Sequence, residues 1–217
     1  MILLSGNPAL LLPILALLIY SSYTDVKTRK VMTLPFLIID VFLFGFYLYF
    51  DTMLAFLVVP VMTEHYLKGK ESYIPYALVL IPLERAFNPV TVSIVLTILL
   101  VKLAFPYLGM GSGDMKILQT LAIAVPTYSA FPLAYAIASP GLLVIVIAGV
   151  SMLAMVGVMK LTTKRGVKGW PKKVPKEVVL PGENHKYRVR GETATYLGPF
   201  VPFITIGYCV ILLLTLL

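Results

Sequence analysis

Six apolar runs, residues 7–24, 33–50, 90–108, 115–138, 141–161 and 197–217, take up most of this chain and leave it few ways to fold. Each is close to the roughly 20 residues a helix needs to cross the hydrocarbon core of a bilayer. The composition agrees: 59% of residues are hydrophobic and 13% charged, where a soluble domain has roughly 25% charged residues, and the mean hydropathy is +0.92. The expected fold is therefore an all-α membrane protein of about six transmembrane helices with a small cytoplasmic insert. Residues 1–161 would form the membrane domain with spans one to five, 162–196 a basic cytoplasmic insert, and 197–217 the last transmembrane helix. In the insert, the turn signal Pro181-Gly182-Glu183-Asn184 lies between β-like runs at 177–180 and 186–189 and predicts a small hairpin. Residues 51–88 fit less well. Their apolar stretches, 53–62 and 74–83, are broken by His65, Lys68, Lys70 and Glu71 and by Pro60, Pro75 and Pro82. Each is too short to span, which predicts re-entrant or interfacial segments. A kink is expected at Pro126 or Pro132, and Pro199 and Pro202 suit the first turn of the last helix.

The net charge of +8 is unevenly spread. Fourteen of the 18 lysines and arginines fall after the first run, between the third and fourth, or in the insert with Lys160 at its edge. That side is expected to face the cytoplasm, which places the N-terminus outside and a multi-pass chain in the plasma membrane. The positive charge then reads as affinity for anionic membrane lipid, and no nucleic-acid partner is expected. A single cysteine, Cys209, excludes an internal disulfide and a Cys-x-x-Cys zinc module. The first apolar run has no basic segment before it, so it is expected to be retained and not cleaved as a signal peptide.

Against this background the acids stand out. The chain has only four aspartates: Asp25, Asp40, Asp51 and Asp114. Asp25 closes the first apolar run, and Asp114 lies in Gly111-Ser112-Gly113-Asp114, between the third and fourth. Acids at the rims of such helices cost free energy unless they have a task. The simplest task for a pair is aspartyl proteolysis: one ionised acid activates water while its protonated neighbour polarises the carbonyl. Gly111 and Gly113 would allow unusual backbone angles and close approach of a peptide. Simpler roles exist for each acid alone. Asp114 could cap the fourth helix, and Asp25 could be a solvated loop acid beside Lys27 and Arg29.

The motifs around the two acids resemble those of a known family. Asp25-Val26-Lys27-Thr28-Arg29-Lys30-Val31 is similar to the acidic-basic motif after the first span of type IV prepilin peptidases. Gly111-Ser112-Gly113-Asp114-Met115-Lys116 matches their Gly-x-Gly-Asp-x-Lys box, and Pro199-Phe200-Val201-Pro202-Phe203 resembles a Pro-Phe-x-Pro-Phe element found there. The missing N-terminal cysteine domain looks like the archaeal branch, the preflagellin and prepilin peptidases. Two departures are Val31-Met32-Thr33-Leu34-Pro35, where the family often has Ile-Pro-Asn, and the long 51–88 region. The resemblance implies that Asp25 and Asp114 are the catalytic pair, supported by Gly111, Gly113, Lys116, Lys27 and Arg29. It implies substrates with a short basic leader followed by a hydrophobic helix, cut at the cytoplasmic membrane face. It implies no cofactor and no N-methylation of the product.

Other residues carry expectations of their own. Asp40 and Lys102 fall inside apolar runs and would pair with each other. His65 and His185 are the only histidines and far apart, which argues against a metal site. Gly149, Ser151, Ala154 and Gly157 read as a helix-packing stripe, and Trp170 and Tyr196 as interfacial aromatics. Glu177, Glu183 and Glu192 are candidate contacts for a basic leader. Two alternatives share the same acids. A presenilin-like intramembrane protease also uses Gly-x-Gly-Asp. A small ion or solute transporter would line a path with Asp25, Asp40, Lys102 and Asp114.

Overall fold

A computed structural model describes residues 8–28, 31–50, 52–66, 73–85, 89–108, 111–124, 140–162, 173–175, 187–190, 192–196 and 199–216. Within them the chain forms α1 (Pro8–Thr28), α2 (Leu34–Phe50), α3 (Thr52–Tyr66), a 3-10 helix (Ile74–Leu80), α4 (Ile81–Arg85), α5 (Pro89–Leu108), α6 (Ser112–Ala124), α7 (Pro140–Thr162) and α8 (Val201–Leu216). Strands β1 (Lys173–Pro175), β2 (Tyr187–Arg190) and β3 (Thr193–Tyr196) precede α8.

The apolar runs fold as helices, but the membrane expectation is corrected. Among the described residues no helix is long and apolar enough to cross a membrane. The reading of six transmembrane spans, and with it the multi-pass location in the plasma membrane, is therefore not sustained. The physical reason lies in what a run of apolar letters leaves out. Among the described residues α2, α3 and α8 have 17, 15 and 16 residues, short of the roughly 20 that a crossing needs. Of the longer helices, α1 turns polar from Ser21 onward, α5 carries Lys102 in its interior and α7 carries Lys160 near its end.

Residues 51–88 also depart from expectation. The first part is a full helix, α3, which continues through the buried Pro60. The missing proline N–H weakens such a helix. Burial of Ala55, Leu57, Val58 and Val61 along it offsets that cost. Pro75 and Pro82 stand in the first turns of the 3-10 helix and α4, where a proline forfeits no helical hydrogen bond.

Helix α6 is the hub. It packs against α2, α3, α5 and α7, while α8 lies between α7 and α1. Nine of its 13 residues are buried, from Met115 to Ala124 with Lys116 excepted. They join a core with Ile14 and Leu18 of α1, Phe36 and Leu43 of α2, and Ile204 and Tyr208 of α8. The fourth run was expected to continue to residue 138; α6 is described over Ser112–Ala124, and the rest of the run, with both candidate kink prolines, lies outside the described residues.

Two residues of the small-residue stripe expected in the fifth run do not make a close helix contact. Gly149 has open space around it and Ala154 is exposed. The close approach is made by Gly207 of α8, where a Cβ would stand 2.6 Å from the Val144 carbonyl oxygen of α7. Since that neighbour is backbone, it cannot swing aside. Gly207→Ala is expected to lower stability by about 1–3 kcal/mol in chemical denaturation, the usual cost of overpacking.

The insert contains a three-stranded antiparallel sheet in the order β1-β3-β2. A hairpin is present among the described residues, formed by β2 and β3. Strand β2 overlaps the run at 186–189 but pairs with β3, with Tyr187 opposite Tyr196 and Arg190 opposite Thr193. Run 177–180 and its turn lie outside the described residues, as do Trp170, Glu177, Glu183 and His185.

Candidate active site

Asp25 sits in the last turn of α1 and is buried, 6% exposed. An acid at a helix C-terminus faces the negative end of that helix. The unfavourable placement is offset by α8, whose N-terminus points at it. The backbone N–H of Val201, the first residue of α8, donates to Asp25 Oδ2 at 3.1 Å. This N–H is one of the donors that a helix start leaves without an internal partner. The local sequence isolates it: Pro202 has no N–H to offer, and Phe203 and Ile204 donate to the Phe200 carbonyl. The amide bond and the positive helix end both favour an ionised Asp25.

The α1–α8 contact is fixed one turn further in. Thr205 Oγ1 lies 2.7 Å from Ser22 Oγ, 3.2 Å from the Leu18 carbonyl and 3.0 Å from the Val201 carbonyl. A hydroxyl has one proton to give, so Thr205 donates to one carbonyl while accepting from Ser22.

Asp114 occupies the third position of α6 and is not its N-cap. Its Oδ2 accepts the Gly111 N–H at 3.3 Å, the reach-back half of a capping box. Gly111 in turn accepts the Met115 N–H at 3.2 Å. Gly113 brings this helix start against the α1–α2 connection. A Cβ at Gly113 would stand 3.1 Å from Val31 Cβ, so the glycine is needed for space and not for an unusual backbone angle.

The two acids, far apart in sequence, thus come within electrostatic reach. Burial, and secondarily the charge of Asp25, push the Asp114 carboxyl from an ordinary 3.8 up to about 7, against the lowering effect of the Gly111 N–H. The helix N-terminus favours the charged form of Asp25, while Asp114, pushed up to about 7, keeps a proton well above the ordinary carboxylate range. Such pairs titrate as a unit. Gly113→Val is expected to push the start of α6 off Val31 and return the Asp114 titration, followed by carbon-13 NMR, toward the ordinary carboxylate range.

The remaining expected site residues are placed less closely. Lys116 is half-buried on α6. Lys27 is exposed, with its ammonium 3.3 Å from the Tyr23 hydroxyl and above that ring. Arg29 lies outside the described residues.

A second polar cluster lies in the core, and the sequence reading had its partners wrong. Asp40 does not pair with Lys102. Lys102 Nζ donates to Glu64 Oε2 at 2.8 Å and lies 5.0 Å and 5.3 Å from the ring centres of Tyr76 and Tyr73. Tyr76 also donates to Glu64 Oε2, at 2.9 Å, and accepts from Gln119 Nε2 at 2.8 Å. Burial, with Glu64's charge beside it, pushes the Tyr76 phenol up and keeps it a donor. Asp40 instead accepts the Thr120 hydroxyl at 3.1 Å and has His65 Nε2 3.1 Å from the same oxygen. Among the described residues His65 Nε2 has no aligned hydrogen bond, so its approach to Asp40 is a close polar contact. Burial pushes the Asp40 carboxyl up, and His65 and Thr120 oppose it. Glu64 was missed in the sequence; its only signal was an acid beside a histidine in an apolar stretch.

Among the described residues no group of three or more His, Cys, Asp or Glu side chains is placed to hold a metal ion. No protein-family model, curated protein or solved structure matches this chain.

Proposed function

We propose that this chain is an aspartyl endopeptidase in which Asp25 and Asp114 form the catalytic pair. The observation that carries the reading is the asymmetry of the two acids. Asp25 is buried and bonded to the Val201 N–H, and Asp114 is pushed up to about 7 by burial and by Asp25. In the proposed reaction the ionised acid takes a proton from water, which attacks the peptide carbonyl carbon. The protonated acid gives its proton to the carbonyl oxygen, so a gem-diol forms. The first acid then passes the proton it took from water to the amide nitrogen, the C–N bond breaks and the amine leaves. A gem-diol hydroxyl returns its proton to the second acid as the carboxylic acid product forms. The site needs no bound group for these steps.

The substrate class rests on the motif resemblance: a precursor of prepilin or preflagellin type, with a short basic leader before a hydrophobic segment. The surroundings of Asp25 suit the hydrophobic part. Tyr23, Val26, Met32 and Leu34 are large, apolar and exposed on α1 and the entry to α2. The Tyr20 hydroxyl, 3.6 Å from Met32 Sδ, ties the two sides of this strip together. Asp40 and Lys102, which a transport path would need, are engaged with His65 and Glu64.

The test is cleavage of a tagged precursor of this kind by the purified chain, with the new N-terminus sequenced. Shortening by the wild type but not by Asp25→Asn or Asp114→Asn, each folded, supports the reading. Undiminished cleavage by either variant overturns it.

A further inference from the structure

We propose that Gln119 is a positioning residue for Asp114: through Tyr76 it ties α6 to the buried Glu64–Lys102 pair and so holds the start of α6 at its working distance from Asp25. The inference rests on the Asp25–Asp114 reading above.

Gln119 and Asp114 share one 13-residue helix, five positions apart. Most of that helix is held by apolar contacts, which are non-directional and leave small rotations and slides inexpensive. Directed bonds remove that freedom. Gln119 Nε2 donates to the Tyr76 hydroxyl at 2.8 Å, Tyr76 donates to Glu64 at 2.9 Å, and Glu64 accepts from Lys102 at 2.8 Å. The chain of bonds thus runs from α6 through the 3-10 helix and α3 to α5. The next residue, Thr120, bonds Asp40 of α2. Adjacent residues on a helix point about 100° apart, so the two ties pull α6 in different directions and resist rotation.

One further feature separates Gln119 from an ordinary core position. It is 0% exposed, and among the described residues its Oε1 has no hydrogen-bond partner. A buried acceptor without a partner is destabilising. A leucine of similar size would fill the place without that cost. The glutamine is thus a poor choice for packing alone and a good one for fixing where α6 sits.

Gln119→Leu separates these roles, with Gln119→Met as a second variant of matching length. Both should melt within a few degrees of wild type. Cleavage of the tagged precursor should lose on the order of 10-fold to 100-fold in kcat, the scale for small misplacements of reacting groups, with KM little changed. The upper limb of the pH–rate profile and the carbon-13 NMR titration of Asp114 should both move to lower pH, because greater separation weakens the push from Asp25. Wild-type kcat and titration in both variants would overturn the proposal. A loss of kcat with the titration unmoved would also overturn it, leaving a structural role only. Asp25→Asn in an otherwise wild-type chain is the control for the underlying reading. If it leaves the Asp114 titration where it was, the pair itself fails, whatever Gln119 does.

Discussion

Asp114→Asn is expected to cut precursor cleavage by at least about 1000-fold and, at the same time, to make the folded protein less sensitive to rising pH. The first effect follows from removing the only proton donor in the pair. The second follows from linkage. The folded-state value of Asp114, about 7, is raised above its ordinary 3.8, so the folded state holds this proton more tightly than the unfolded chain does. The resulting stability is fully present below about pH 4. It is lost progressively as pH rises to about 7, and above that the folded protein must carry a second buried negative charge beside Asp25. Asparagine does not titrate. Between pH 5 and 8 the wild-type melting temperature should fall while that of Asp114→Asn stays nearly level. Cleavage by the wild type should fall as pH rises through about 7, when the donor proton is lost. An Asp114→Asn melt that tracks the wild type across this range would remove Asp114 as the raised group.

The second large effect lies away from the pair. Glu64→Ala should destabilise the fold by about 3–5 kcal/mol, the cost of stranding a buried charge. Lys102 is 3% exposed and Glu64 8%, and 2.8 Å separates Nζ from Oε2. Among the described residues alanine would leave the ammonium with the faces of Tyr73 and Tyr76, and a cation over an aromatic ring recovers roughly 2 kcal/mol when desolvated. The double variant Glu64→Leu with Lys102→Met removes both charges and keeps the volume. It should be close to neutral, or more stable than wild type by up to about 4 kcal/mol. Urea denaturation of both variants decides the matter. Equal destabilisation by the single and double changes would mean that the pair is held for its shape and not its charge.

What could be read in the sequence, and what could not, divides along a physical line. The two acids, their glycines and the Pro-Phe-Val-Pro-Phe element are local patterns, and the structure brings all three together at one end of α1, α6 and α8. The sequence could not show that Val201 would supply the amide to Asp25, although its flanking prolines left that N–H as a free donor. The pairing of Lys102 with Glu64 was out of reach, because apolar runs specify burial but not which buried charges meet. The same holds for Gly207, whose importance depends on Val144, a residue of another helix. The membrane reading failed for a related reason. Mean hydropathy adds up residue types, whereas crossing needs a single helix that is both long and apolar throughout, and among the described residues none is. Strand β3 escaped notice because Thr193-Ala194-Thr195-Tyr196 is too short to declare itself without the partners it acquires from both sides.

The most direct test of the central claim is the carbon-13 NMR titration of the Asp114 carboxyl in the wild type and in Asp25→Asn. The account predicts titration near pH 7 in the wild type and a clear downward move in the variant, where the neighbouring charge is gone but the burial remains. An Asp114 that titrates near the ordinary 3.8, or one that the loss of Asp25 leaves unmoved, would contradict the pair and with it the proposed chemistry.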